Sequence, residues 1–185
     1  MSGAHVALLR GINVGKAKRV AMADLRALVE GLGYRDVRTL LNSGNVVFTV
    51  PKSAKGDPAA RIEKAIAARL GVTSRVTVLT GAELGAIVRD DPLGRVADNP
   101  SRYMITVLTH PPDRGKLNAL AREDWSPEVV SLGRRCVYLW CPAGIIDSRA
   151  FAALTKLLGD AITTRNWATI NKLHDMTSSP TASSP

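Results

Sequence analysis

The feature that most restricts this chain is an order of elements met twice, on either side of DDPLGRVADNPSR at residues 90–102, a stretch rich in Asp, Pro and Gly that reads as a boundary. Before it, Val6 to Leu9 is a short continuous apolar run, as expected of a strand covered on both faces. After a loop from Gly11 to Lys18, Met22, Leu25, Leu28, Val29 and Leu32 recur at helical spacing, and Gly31 and Gly33 stop the pattern. Asp36 to Leu41 and Asn45 to Val50 are β-rich and joined by Ser43-Gly44, which reads as a hairpin. Ile62, Ile66 and Leu70 mark a second helix closed by Gly71; Val76 to Leu79 gives another strand, and Thr80 to Glu83 forms a capping box before an added short helix.

Past the boundary the order recurs. Tyr103 to Leu108 is strand-like, Leu117 and Leu120 mark a helix, and Glu128 to Leu132 with Cys136 to Cys141 flank Gly133-Arg134 as a second hairpin. Ser148 caps a helix with Phe151, Leu154, Leu157 and Leu158 on its core face. A last helix is expected from Thr163 or Thr164, with Trp167 and Ile170 inward. The fold class expected is α+β: two ferredoxin-like halves of βαββαβ type, antiparallel sheets covered by helices, plus a C-terminal helix. The halves are expected at residues 1–95 and 96–176, and TSSPTASSP, residues 177–185, as a disordered tail too poor in apolar residues to fold.

Composition narrows the class further. With 45% hydrophobic and 22% charged residues over 185 positions the chain is globular, and its apolar runs fall far short of the roughly 20 residues needed to cross a bilayer. MSGAHVALLR lacks a basic n-region followed by an apolar stretch, so a cytoplasmic location is expected. Cys136 and Cys141 are an odd number of residues apart on one strand, which points them to opposite faces and leaves both reduced. With no CxxC pair and with His5, His110 and His174 scattered, no metal site is expected. The residues name no cofactor.

The formal net charge is +9, and residues 1–50 hold the largest share of it, seven bases against three acids. Arg outnumbers Lys 17 to 8, which suits bidentate anion recognition and equally follows from an Arg-rich codon bias. GINVGKAK, Gly11 to Lys18, follows a strand and precedes a helix as a phosphate loop does. It is no Walker motif: three residues separate its glycines, and Ala17 stands where a magnesium-binding Ser or Thr is needed. A looser reading remains open, in which Arg10, Gly11, Asn13, Gly15 and Lys16 cradle an anion through backbone N–H groups and flexible cations; otherwise the segment is a solvated basic turn.

Asn42, Ser43, Gly44 and Asn45 are turn formers that either only close the hairpin or, through Asn42, Ser43 and Asn45, present short polar groups at a sheet edge beside that loop. Ser43 lacks the G-x-S-x-G context of a nucleophile. Thr163-Thr-Arg-Asn-Trp167, at an expected helix start, places Arg165 and Asn166 where a helix N-terminus would assist an anion; the structural alternative is that Thr164 caps and Trp167 packs. Asp90-Asp91 and Glu123-Asp124 form neither a glycosidase pair nor a metal cluster. No complete catalytic motif is present.

The segment ALLRGINVGKAKRVAMADLRALVEGLGYRDVRTLLNSGNVVF at residues 7–48, NPSR at 99–102 and TTRNWATINKL at 163–173 together resemble the bacterial family catalogued as domain of unknown function 1697. The resemblance implies a cytosolic two-part α+β fold with ferredoxin-like character and no established activity. It maps recurring residues onto Arg10, Gly11, Asn13, Gly15, Ser43, Gly44, Asn45, Arg165, Asn166 and Trp167; Lys16 and Leu40 stand where members often have a glycine and an aromatic. The function expected is binding of an anionic, phosphate-bearing ligand such as a nucleotide or nucleic acid, with Arg10, Asn13, Lys16, Ser43 and Asn45 meeting Arg165. The alternatives are an enzyme acting on a phosphorylated or carboxylated small molecule and a protein-assembly module.

Overall fold

The computed structural model describes residues 3–14, 19–110 and 114–179. The elements run β1 (Ala4–Leu9), α1 (Met22–Gly31), β2 (Arg35–Leu40), β3 (Asn45–Thr49), α2 (Pro58–Leu70), β4 (Val76–Thr80), α3 (Gly81–Arg89), β5 (Tyr103–Leu108), α4 (Arg114–Ala121), β6 (Val129–Leu132), β7 (Cys136–Trp140), α5 (Arg149–Leu158), β8 (Ile162–Asn166) and α6 (Trp167–Ser178). They form two compact units, Met1–Ala82 with Leu173–Pro185, and Glu83–Lys172. Each holds a four-stranded antiparallel sheet, ordered β2-β3-β1-β4 in the first and β6-β7-β5-β8 in the second. The α+β fold with ferredoxin-like halves is therefore the observed one: in each sheet the first strand sits centrally, between the third and the fourth. Among the described residues no helix is long and apolar enough to cross a membrane.

In the first unit, β1 alternates its side chains between two buried faces. Ala7 and Leu9, with Val46, Phe48 and Val76, meet Leu25 and Val29 of α1 and Ile62 and Ile66 of α2; Val6 and Leu8 on the other face are also fully buried. This double burial is why β1 reads as an unbroken apolar run. The start of α2 is set by Asp57, whose carboxylate accepts the N–H groups of Ala59 and Ala60, and by Pro58 at its first position; Gly71, at φ 63°, ends it. On edge strand β2 the pairing register shifts between Arg35 and Arg38, with Asp36 at φ 53°, a bulge that spoils the edge for further pairing. Arg38 donates from Nη2 to the Met176 carbonyl at 2.6 Å, placing a cation on the carbonyl end of α6.

In the second unit, Met104, Leu108, Val137, Leu139 and Ile162 face Leu117 and Leu120 of α4 and Leu154 of α5. On the opposite face the Tyr103 ring lies 4.9 Å from Trp167 of α6, and the Tyr138 hydroxyl donates to the Ile87 carbonyl of α3 at 2.9 Å. Both cysteines are buried thiols, Cys141 in the helix-side core; burial pushes Cys136 up to about 12. Glu128, just before β6, accepts the N–H groups of Arg149 and Ala150 and the Ser148 hydroxyl, so α5 has two N-terminal caps.

One expected helix start is corrected. The segment from Ile162 to Asn166 is not the opening of the last helix but the strand β8, paired with β5 in the register Thr106 to Thr164, whose hydroxyls lie 2.9 Å apart. Three consecutive β-branched residues favour the extended form, and β5 offers an unfilled edge, so pairing outweighs the capping tendency of the threonines. The cap of α6 is Asn166, whose Oδ1 accepts the Thr169 N–H at 2.9 Å. At its far end α6 takes in Thr177 and Ser178 of the Ser/Pro-rich stretch; residues 180–185 lie outside the described residues.

Candidate functional site

Antiparallel pairing brings four segments to one end of the first sheet: the end of β1, the β2–β3 turn, the start of β4, and the loop that leaves β1. Leu9 N–H donates to the Gly44 carbonyl and Arg10 N–H to the Arg75 carbonyl, each at 2.9 Å, while the Ser74 hydroxyl donates to the Arg10 carbonyl at 2.8 Å. Arg10 and Arg75 are thus backbone neighbours although 65 residues apart in the chain.

The loop is fastened by one side chain. Asn13 sits at φ 53° and its amide makes three hydrogen bonds: Nδ2 donates to the carbonyls of Val20 (2.8 Å) and Asn42 (2.7 Å), and Oδ1 accepts the Val20 N–H (2.8 Å). One end of the loop is tied to the other, and both to the hairpin turn. Asn suits the position because it tolerates the left-handed conformation better than other L residues and carries both donor and acceptor. The fastening presses Ile12 onto the turn: a Cβ on Gly44 (φ 77°) would fall 2.7 Å from Ile12 Cδ1 and 2.8 Å from Leu9 Cβ, so only glycine fits. Asn45, fully buried, donates from Nδ2 to the Leu40 carbonyl at 2.8 Å and to Ser43 Oγ at 2.9 Å. Around this fixed framework Val14 and Leu41 are exposed, 71% and 54%, and Leu41 is held at φ 57°.

Six of the residues singled out from sequence therefore share this end: Arg10, Gly11, Asn13, Ser43, Gly44 and Asn45. Gly15 and Lys16 lie outside the described residues. Arg165 and Asn166 belong to the second unit, on β8 opposite Ile105 and Met104, at the end of that sheet where β5 begins. Arg165 donates from Nη1 to the Thr164 carbonyl at 2.8 Å and to the Thr163 hydroxyl at 3.2 Å, and burial lowers it to about 10, still charged at neutral pH. The amides of Asn13 and Asn45 serve the framework. Sequence reasoning missed Arg75 and Ser74, and it placed Asn42 here for its side chain whereas its carbonyl is what binds Asn13. The strand order of a βαββαβ sheet would have found Arg75, because it sets the fourth strand beside the first.

Comparison with known proteins gives a family and a fold. A family model described as a protein of unknown function, DUF1697, matches residues 3–138. No curated protein matches. Among solved structures, the chain is similar to the conserved bacterial protein SP0830 from Streptococcus pneumoniae, at 24% identity and a TM-score of 0.78 over 96% of this chain and 99% of that one.

Proposed function

We propose that this chain, which belongs to the DUF1697 family of proteins of unknown function, binds the phosphate backbone of a nucleic acid at the loop end of its first sheet. The observation that supports the reading is the three-bonded Asn13, which ties the two described ends of a loop with basic sequence to each other and to the hairpin turn, next to the backbone of Arg75. Groups held in place before binding lose less entropy when they bind. The cations come from several segments: Arg10 after β1, Arg19 at the loop's far end, Arg75 before β4, and Lys16 and Lys18 in the sequence between. Such a spread suits a row of phosphates better than one small anion, and the exposed Val14 and Leu41 offer apolar contact to sugars or bases. Glu63 tempers the charge locally: it lies 3.6 Å from Arg75 and accepts the Val76 N–H.

The test is fluorescence anisotropy of a labelled single-stranded oligonucleotide across a salt series. Affinity is expected to fall linearly on a log–log plot, with a slope of about 0.7 per phosphate neutralised, and Arg10→Ala and Arg75→Ala should each flatten the slope by roughly that amount. Binding indifferent to salt, or unchanged in both variants, would end the reading.

A further inference from the structure

At the opposite end of the first sheet, where β3 runs out, a cleft of about 360 Å³ opens between the end of α1 and the β3–α2 loop. Its walls are Leu32, Pro51, Ser53, Ala54, Lys55 and Arg61. That volume lies within the range of small-molecule sites, and the mixture of apolar wall and a few polar groups is typical of them.

One of the polar groups is held in place. Arg61, in the first turns of α2, is locked from two sides: Nη2 donates to the Leu32 carbonyl at 2.8 Å and Nη1 to the Tyr34 hydroxyl at 3.2 Å, with the guanidinium 5.1 Å from the Tyr34 ring centre. A guanidinium has five N–H donors, so three remain beyond those two bonds. The loop is bent back toward this side chain. Ala54 N–H donates to the Pro51 carbonyl at 2.9 Å, and at Gly56, φ 83°, a Cβ would stand 3.8 Å from Arg61 Cδ, so the backbone next to Lys55 lies along the arginine stem. Among the described residues the side chains of Lys55 and Ser53 have no hydrogen-bond or ion-pair partner. The nearby carboxylate, Asp57, is turned to the Ala59 and Ala60 N–H groups as the cap of α2.

The geometry points to a second binding site here, for the phosphate group of a small phosphorylated molecule with a short apolar body. Arg61 supplies a fixed fork, Lys55 an exposed point charge and Ser53 a hydroxyl donor, while Leu32, Pro51 and Ala54 cover the organic part. Two cations and a hydroxyl match a dianion better than a carboxylate, and the fixed arginine means that little order is lost on binding. The site shares no residue with the loop end, so it stands whether or not that end takes nucleic acid.

The full chain, labelled with ¹⁵N, is titrated with phenyl phosphate, benzoate and inorganic phosphate and followed by heteronuclear NMR. Phenyl phosphate is expected to shift the amides of residues 53–56 and the Arg61 Nε–H saturably, with at least fivefold higher affinity than benzoate or inorganic phosphate. Lys55→Gln, an exposed substitution, should weaken it at least fivefold with an unchanged amide spectrum elsewhere, and Arg10→Ala should leave it unchanged. Arg61→Lys keeps the charge and loses the fork, but it also loosens the cleft wall, so Lys55→Gln decides. Benzoate binding as tightly overturns the assignment to phosphate, and shifts confined to other residues, or an unaffected Lys55→Gln, overturn the site.

Discussion

Replacing Asn13 by alanine removes three hydrogen bonds at once, all between 2.7 and 2.8 Å and two of them to Val20, which is only 5% exposed. Each such bond contributes about 0.5–1.5 kcal/mol net, and a donor left buried without a partner costs about 1–3 kcal/mol. Asn42 is exposed, so water replaces the amide at its carbonyl and that bond counts at the low end; the Val20 N–H is the expensive loss. Alanine must also hold φ 53°, which adds about 1 kcal/mol. The sum is about 3–4 kcal/mol unless the loop detaches, in which case the loss is capped by the cost of leaving Ile12, 2% exposed, without its cover. The measurements are the denaturant midpoint and the exchange rate of the Val20 amide. Asn13→Gly separates the terms, because glycine loses the same bonds without the conformational penalty and should be about 1 kcal/mol more stable than the alanine variant. A loss below about 0.5 kcal/mol with the Val20 amide still protected would refute the fastening role.

Gly44→Ala places a methyl group within 2.8 Å of Ile12 and Leu9 at φ 77°, so strain and overpacking together should cost about 2–4 kcal/mol, read as a lower Tm with the loop amides shifted. The Cys136 thiol, raised to about 12 from an unfolded value near 9, binds its proton more tightly when folded. Its contribution is complete below pH 9 and is lost as pH rises toward 12, at up to about 1.4 kcal/mol per pH unit. Cys136→Ala should therefore flatten the alkaline side of the stability curve between pH 9 and 10, before the buried Tyr103 and Tyr138, also raised by burial, add their own loss. An unchanged slope would show that the thiol titrates normally.

Elements whose cause is local were legible in the sequence. β1 shows itself through an apolar run because both its faces are buried, and α2 through Ile62, Ile66 and Leu70 with Gly71 as its stop, although its start at Asp57-Pro58 lies within what reads as a polar loop. β8 was not legible, since Ile-Thr-Thr is equally a strand and a cap, and only pairing with β5 settles which. At the candidate site the residue types could be read but their duties could not. Asn13 and Asn45 are obvious turn formers, yet the Asn13 amide acts on a carbonyl 29 residues away, and such a bond leaves no periodic trace. The grip of Arg61 on Tyr34 and Leu32 spans similar distances and was invisible for the same reason.

The repeated topology allows a comparison that neither unit gives alone. Leu9 N–H to the Gly44 carbonyl in the first unit corresponds to Leu108 N–H to the Arg135 carbonyl in the second, and Arg10 N–H to the Arg75 carbonyl corresponds to Thr109 N–H to the Ala161 carbonyl, all at 2.9 Å. Register thus equates Gly44 with Arg135, Arg10 with Thr109 and Asn45 with Cys136. These exchanges are coupled. Where Asn13 folds Ile12 onto the turn there is no room for any side chain at position 44, whereas in the second unit the equivalent position carries an arginine that donates to Glu83 at 2.5 Å and to the Leu108 carbonyl at 3.2 Å. An anion arriving at that end of the second sheet would have to displace a carboxylate of the chain's own from Arg135, a part-buried pair less screened than one at the surface. At the first unit's end the place that corresponds to Arg135 is a glycine with no side chain to pair, and the ion pair at that end is made instead by Arg75, just before β4, 3.6 Å from Glu63.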